Sequence, residues 1–182
     1  MNKLLTICLI SVFLIGCKTP EARKPISVKT GSFIDDSVDR NKKLNAQEQS
    51  KIEKVIKSYP EHDFIASESG FWYFYNTKSK IDSLLTPSFG DVIDYNYNVK
   101  NLNGKVIYSK DELKTQTYAM DQQELFTGLR EGLKLMKPGE TVTFLFPSQK
   151  AYGYYGDQNK IGSNTPLICE VTVLSITSNE NN

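Results

Sequence analysis

Three short signals, in fixed order between Leu125 and Gly156, constrain the fold of this chain more than any other feature. Leu125-Phe126-Thr127-Gly128-Leu129-Arg130-Glu131-Gly132 reads as a helix. Met136-Lys137-Pro138-Gly139-Glu140 reads as a turn. Ala151-Tyr152-Gly153-Tyr154-Tyr155-Gly156, after Pro147, reads as a glycine-punctuated loop. Asp121, followed three residues later by Glu124, has the form of a helix cap, and Leu125, Leu129 and Leu133 then fall on one side. A single helix with one apolar side has to bury it on a sheet.

The strands for that sheet are written on both sides of the helix. Over Val92 to Val99, Ile93, Tyr95, Tyr97 and Val99 alternate with Asp94, Asn96 and Asn98, which puts Tyr97 on the buried face. Asn103-Gly104 marks a hairpin turn, and Val106 and Ile107 begin the return strand. Phe71 to Tyr75 is an unbroken aromatic run, suited to a strand covered on both faces or one crossing between environments. Thr115 to Met120 reads as a further short strand. Val142, Phe144 and Phe146 alternate in the next, and Leu167, Cys169, Val171 and Val173 share one face of the last. The expected class is α+β: a twisted antiparallel sheet wrapped around one short helix, over residues 66–178.

Upstream, Asn45 with Glu48 three residues on has the form of a capping box. Ile52, Val55, Ile56 and Tyr59 then recur at helical spacing until Pro60, giving an N-terminal helix over 44–60 with an apolar stripe to dock on the domain. Lys18 to Lys43 is rich in Lys, Pro, Ser, Thr and Asp, with too few apolar residues to form a core; with Cys17 it reads as a flexible tether, 17–43. Residues 1–16 read as an export signal: Lys3 gives the positive start, Leu4 to Ile15 the apolar core, and Leu14-Ile15-Gly16-Cys17 the end. The apolar run is shorter than the roughly 20 residues that span a bilayer. It resembles a lipoprotein signal cut before Cys17, which implies a lipidated Cys17 anchoring the chain in a bacterial cell envelope, facing the periplasm or the cell surface.

Charge and cysteine usage exclude several classes. The chain carries 22 basic and 21 acidic residues, and losing Lys3 with the signal leaves 21 against 21, so nothing here attracts nucleic acid. With Cys8 in the signal and Cys17 lipidated, Cys169 is the lone cysteine of the folded part. It sits in an apolar strand, as a buried inert thiol does. The single histidine, His62, has no cysteine neighbour in sequence, so neither a metal, a cofactor nor a serine-type triad is expected.

The three signals together resemble the FKBP-type peptidyl-prolyl isomerases, over roughly Ser69 to Ile176. The resemblance implies a reaction that needs no nucleophile. Rotating an X-Pro bond forfeits amide resonance, a barrier of about 20 kcal/mol, and an apolar pocket with a few donors can favour the twisted bond. Carried over by position, it makes Tyr97 a wall, the backbone N–H of Phe126 the donor to a substrate carbonyl, and Tyr152 the hydroxyl donor. Ile107, Tyr108, Leu125, Leu129, Ile161 and Cys169 complete the substrate-binding set, and proline-containing polypeptides are the implied partners.

Several positions depart from the family pattern. Ile107 and Cys169 stand where phenylalanine is usual, Leu129 where tryptophan is frequent, Gln116 where an aromatic is expected, and Tyr108 where the family has aspartate. A wider, shallower pocket follows. The missing carboxylate is worth about 1.5 to 3 kcal/mol, a roughly ten- to hundredfold change in rate; the Tyr108 hydroxyl could substitute for it in part, or Asp111 or Glu112, neither of which aligns, could swing in. Two readings remain open: a lipid-anchored isomerase assisting exported or envelope proteins, or a binding or chaperone module that keeps the fold without useful catalysis. The signal, tether and helix look most like the gliding-motility-associated FKBP-type lipoproteins of Bacteroidota, which implies envelope motility or secretion proteins as partners.

Overall fold

A computed structural model describes residues 30–81 and 83–179. The export signal, Cys17 and the start of the tether lie outside them. The chain divides into two units, one up to Val38 and one from Asp39 onward; the described part of the first is the opening of a helix. That helix, α1 (Thr30–Ser58), begins well before Asn45, inside the segment read as tether. No proline falls between Pro25 and Pro60, and Asp36 with Arg40 and Asp39 with Lys43 are acid-to-base pairs four residues apart, which favour helix. Asn45 and Glu48 therefore sit mid-helix and cap nothing. Among the described residues, no helix is long and apolar enough to cross a membrane.

The strands are β1 (Ile65–Ala66), β2 (Trp72–Thr77), β3 (Val92–Asn101), β4 (Val106–Tyr108), β5 (Gln116–Ala119), β6 (Thr141–Phe146) and β7 (Leu167–Thr177). They form one antiparallel sheet in the order β1-β2-β6-β7-β3-β4, with β5 beside β4 on the outer edge of β3. Two short helices, α2 (Lys110–Leu113) and α3 (Thr127–Leu133), and a 3-10 turn (Ser148–Lys150) complete the unit. The α2 turn has no counterpart in the sequence expectations: Ser109 caps it, accepting the Glu112 N–H at 3.2 Å.

The alternation read in β3, β6 and β7 sorts the sheet into two faces. On one, Tyr95, Tyr97, Val142, Phe144, Phe146, Cys169 and Val171 are buried around the fully buried Leu129 and Leu133 of α3. Each fully buried phenylalanine contributes about 1.5–3 kcal/mol from apolar area removed from water. The helix can come this close because of its glycines: a Cβ on Gly128 would lie 2.5 Å from the Phe146 ring and 2.6 Å from the Lys150 carbonyl oxygen, and one on Gly132 2.9 Å from the Phe144 ring. On the other face Leu145, Ile168 and Trp72 pack with Ile52, Val55 and Ile56 of α1. The aromatic run is covered on both faces as expected: Phe71 meets Phe146 at 5.3 Å, while Phe74 stacks on His62 at 4.0 Å.

The start of α3 differs from the expected cap. Its N-cap is Phe126, with no side-chain hydrogen bond, and Glu124 is exposed. Asp121, in a left-handed turn conformation, reaches the far end of the helix instead, its carboxylate 3.0 Å from the Lys134 ammonium. Favourable charge against a helix's C-terminal lysine has replaced favourable charge at its start.

Candidate active site

The pocket is built where the end of β3, β4, the entry to α3 and the loop after β6 converge. All nine residues expected of it join one cluster: Tyr97, Leu129, Ile161 and Cys169 buried, and Ile107, Tyr108, Leu125, Phe126 and Tyr152 packed half-buried against them. The Phe126 ring lies 5.1 Å from that of Tyr152 and 5.5 Å from that of Phe146. Beside them opens a groove of about 600 Å³ lined by Gln123, Glu124, Leu125, Phe126, Arg130 and Tyr152.

Two of the expected lining residues are corrected by their burial. Leu129 and Cys169 are both 0% exposed, so they back the pocket wall from within the core and do not meet a ligand. Burial also drives the Cys169 thiol pKa far upward, which keeps it protonated and inert.

The loop from Ala151 to Ile161 is held by its own backbone. Gly153 and Ala151 donate to the Ser148 carbonyl at 2.8 and 3.0 Å, and Asn164 donates to the Gly153 carbonyl at 2.8 Å. Gly156 has φ +66°, and a Cβ there would lie 2.1 Å from the Ile161 carbonyl oxygen, so glycine is obligatory. This is the physical content of the A-Y-G-x-x-G signal: it folds the chain back so that Tyr152 and Ile161 join the same cluster. The M-x-P-G-E signal is structural. Glu140, buried, accepts from the Lys137 and Ser79 N–H groups at 2.9 and 3.0 Å and closes the turn.

What the site offers chemically is apolar walls and a few donors. Among the described residues no hydrogen bond engages the Phe126 N–H or the Tyr152 hydroxyl. Both are therefore available to a ligand carbonyl. Burial pushes the Tyr152 hydroxyl up to about 12, with Cys169, Asp157 and Tyr108 adding to the rise, and raises Tyr97 as well; both stay protonated at neutral pH.

The Tyr108 hydroxyl, offered by the sequence as a partial substitute for the missing aspartate, is itself bonded to a carboxylate. Neither Asp111 nor Glu112 swings in; Glu112 pairs with Lys160. The carboxylate that reaches Tyr108 is Asp157, from the loop: the Tyr108 hydroxyl donates to Asp157 Oδ2. Sequence reasoning missed Asp157 because it lies 49 residues from its partner. An acidic residue immediately after the A-Y-G-x-x-G signal was the available cue.

Comparison with known proteins agrees with this geometry. Residues 85–174 match the model of the family described as FKBP-type peptidyl-prolyl cis-trans isomerase. That segment is an FKBP-type domain. The chain is 28% identical over 146 residues to a probable FKBP-type peptidyl-prolyl cis-trans isomerase of Haemophilus influenzae, covering 74% of this chain and 59% of that protein. It is 32% identical over 91 residues to the peptidyl-prolyl cis-trans isomerase Mip of Coxiella burnetii, covering 50% and 39%. The chain thus spans about half the length of these relatives. The crystal structure of FkpA from Escherichia coli superposes with a TM-score of 0.61 at 22% identity, covering 97% of this chain and 83% of that one, which establishes the fold. The FKBP-type domain here follows an N-terminal helix.

Proposed function

We propose that this protein is a peptidyl-prolyl cis-trans isomerase acting on proline-containing polypeptides. The observation that carries the reading is the pair of free donors, the Phe126 N–H and the Tyr152 hydroxyl, set at an aromatic-walled groove. An X-Pro segment placed there sheds water from its proline ring, and its carbonyls meet donors that need no reorganisation as the bond twists. The membership of residues 85–174 in an isomerase family supports the same reading. Acceleration of the refolding of a proline-limited substrate by the purified full chain, measured without a coupling protease, tests it. Tyr152→Phe lowers kcat/KM about tenfold, the loss of one hydrogen bond worth about 1.4 kcal/mol. No acceleration by a folded protein overturns it.

We further propose that the protein works at a bacterial envelope, held by lipid on Cys17, and serves exported or envelope proteins there, including those of a motility or secretion apparatus. The Met1 to Cys17 pattern supports the anchor, and the likeness to gliding-motility lipoproteins supports the setting. Cys17→Ser abolishes lipid labelling and releases the chain from membranes; a normally acylated variant removes the anchor from the proposal. A second reading, a module that grips chains without turning them over, draws on Tyr154 and Tyr155, 72% and 78% exposed at the loop tip. It is favoured if peptide binds and refolding is not accelerated.

A further inference from the structure

Past its last turn, α1 leaves part of the sheet uncovered. Pro60 cannot continue the helix, and the chain turns back, the His62 N–H donating to the Tyr59 carbonyl at 3.1 Å, before it runs into β1. Under the helix, Ile52, Val55 and Ile56 seal the outer face against Leu145 and Ile168. Beyond it a cavity of about 280 Å³ remains between the end of α1, the turn that joins β3 to β4, and the sheet. Leu145 and Ile168 give it an apolar floor. Phe64 and Phe74 give it an aromatic wall, their rings edge to face at 4.8 Å, with His62 stacked on Phe74 at 4.0 Å.

The same cavity carries polar groups of both kinds. Thr143 of β6 stands opposite Glu170 of β7, and Lys100 of β3 opposite Ile168, so these side chains share one face of the sheet. The Thr143 hydroxyl donates to Asn76 Oδ1 at 2.8 Å, which leaves the amide protons of Asn76 unused. Among the described residues no hydrogen bond or ion pair engages the Lys100 ammonium or the Glu170 carboxylate, and the two do not pair with each other although both line the cavity. Donors at Asn76 and Lys100 and an acceptor at Glu170 therefore stand beside an apolar floor.

Those groups decide what fits. A purely apolar compound would shut Asn76 and Glu170 off from water without giving them partners. A polypeptide residue with a large apolar side chain matches every feature at once: its side chain meets the floor, its carbonyl meets Lys100 or Asn76, and its N–H meets Glu170. The volume lies just under the roughly 300–1,000 Å³ of ligand pockets, which suits one such residue. Its amides have to be unpaired when it enters. A strand or helix of a folded partner has already paired them, whereas an unfolded chain has not. Proline fits worst, since it has no N–H for Glu170.

We propose that this cavity is a second polypeptide site, on the face of the sheet opposite the Tyr152 groove, which holds one large apolar residue of an unfolded chain by its side chain and its backbone amides and needs no proline. The inference goes beyond the isomerase reading and does not depend on it.

The test is a titration of the full chain with acetyl-Gly-Phe-Gly-amide, read by the emission of Trp72. Trp72 is the one tryptophan of the chain and packs with Leu145 and Ile168, so it reports on this face. The expected result is saturable binding at about millimolar concentration or tighter, weakened about tenfold or more when the Phe of the peptide is replaced by Ala. Toluene, which has the side chain without the amides, binds about tenfold more weakly than the peptide. Asn76→Phe fills the cavity from an exposed position of β2 and abolishes the emission change, while Tyr152→Phe leaves the titration as it was. Glu170→Ala, at an exposed side chain, weakens binding about tenfold and keeps the test decisive if thermal unfolding shows that the filled variant does not fold. The absence of a saturable change overturns the proposal, as does peptide binding that survives Glu170→Ala at full strength or is lost in Tyr152→Phe. Equal binding of toluene and peptide overturns it too, because the cavity is then an apolar hole without use for an amide. Refolding activity enters none of these readouts, so the isomerase reading stands or falls separately.

Discussion

The two faces of the sheet are built from the same alternating strands yet treat their polar groups in opposite ways. On the face covered by α1, Glu48 is 3% exposed, and both its oxygens are used, accepting the Ser148 N–H at 2.8 Å and the Ser148 hydroxyl at 2.6 Å. Both oxygens of that carboxylate are thereby committed within the fold. On the face that wraps α3, the rim keeps a hydroxyl and an N–H without partners among the described residues, and the Asp157 carboxylate accepts from the Tyr108 hydroxyl and from its own loop. A buried polar group that is fully paired stabilises a fold; one left available at a groove is retained for something that comes and goes. The two faces also meet at one residue. The Ser148 gripped by Glu48 is the same residue whose carbonyl holds Ala151 and Gly153, so α1 braces the base of the Tyr152 loop from behind.

That contrast is sharpest in how each face responds to substitution. Ile52→Ala removes a fully buried side chain from the seam of α1 and costs about 2–5 kcal/mol in urea unfolding, with kcat/KM of the remaining folded protein unchanged. A matching loss of rate at full stability would break the division of labour between the faces. Glu48→Ala strands two buried donors of Ser148 and costs about 2–3 kcal/mol, and because Ser148 carries the loop it lowers activity as well. Kinetics in the folded baseline, alongside denaturant curves, reads both effects. Tyr152→Phe is the mirror image, with a loss of about tenfold in rate at an unchanged melting temperature.

The smallest effect expected concerns alkaline pH. The folded pKa of Tyr152 is about 12 against an ordinary 10.0, so as pH climbs the unfolded chain loses its proton first. The stabilisation is complete below pH 10 and is lost as pH rises toward 12. Thermal midpoints measured over that window fall, less steeply in Tyr152→Phe, and still fall because Tyr95 and Tyr97 are raised in the same direction.

How much was legible in the sequence follows from how far apart the interacting residues are. The strands were readable because burial alternates with period two along β3, β6 and β7, and the pocket positions because the three signals carry a family resemblance that implies them. Gly128 and Gly156 belong to those signals: one lets a helix touch a sheet, the other lets a loop double back. Glu48 shows the opposite case. Its spacing from Asn45 has the form of a cap, and only the docked position of the 3-10 turn, 100 residues away, reveals that its carboxylate is committed elsewhere. Asp121 and Glu124 misled for the same reason, since the sequence carries the form of a cap without saying which end of the helix a side chain will reach.

The sequence by itself determined which residues are apolar, how they alternate, and where the chain must turn, while it was the family resemblance that implied one pocket for Tyr97, Phe126 and Tyr152. Only the tertiary structure decided that Leu129 and Cys169 stay behind the wall, that α1 starts at Thr30 and braces the loop through Glu48, and that the Tyr108 hydroxyl donates to Asp157. The physical reason is one of range. Hydrophobic periodicity and backbone conformation act over a few residues and are written locally, whereas the partner of a buried polar group is set by which distant segments the packed core brings within hydrogen-bonding distance.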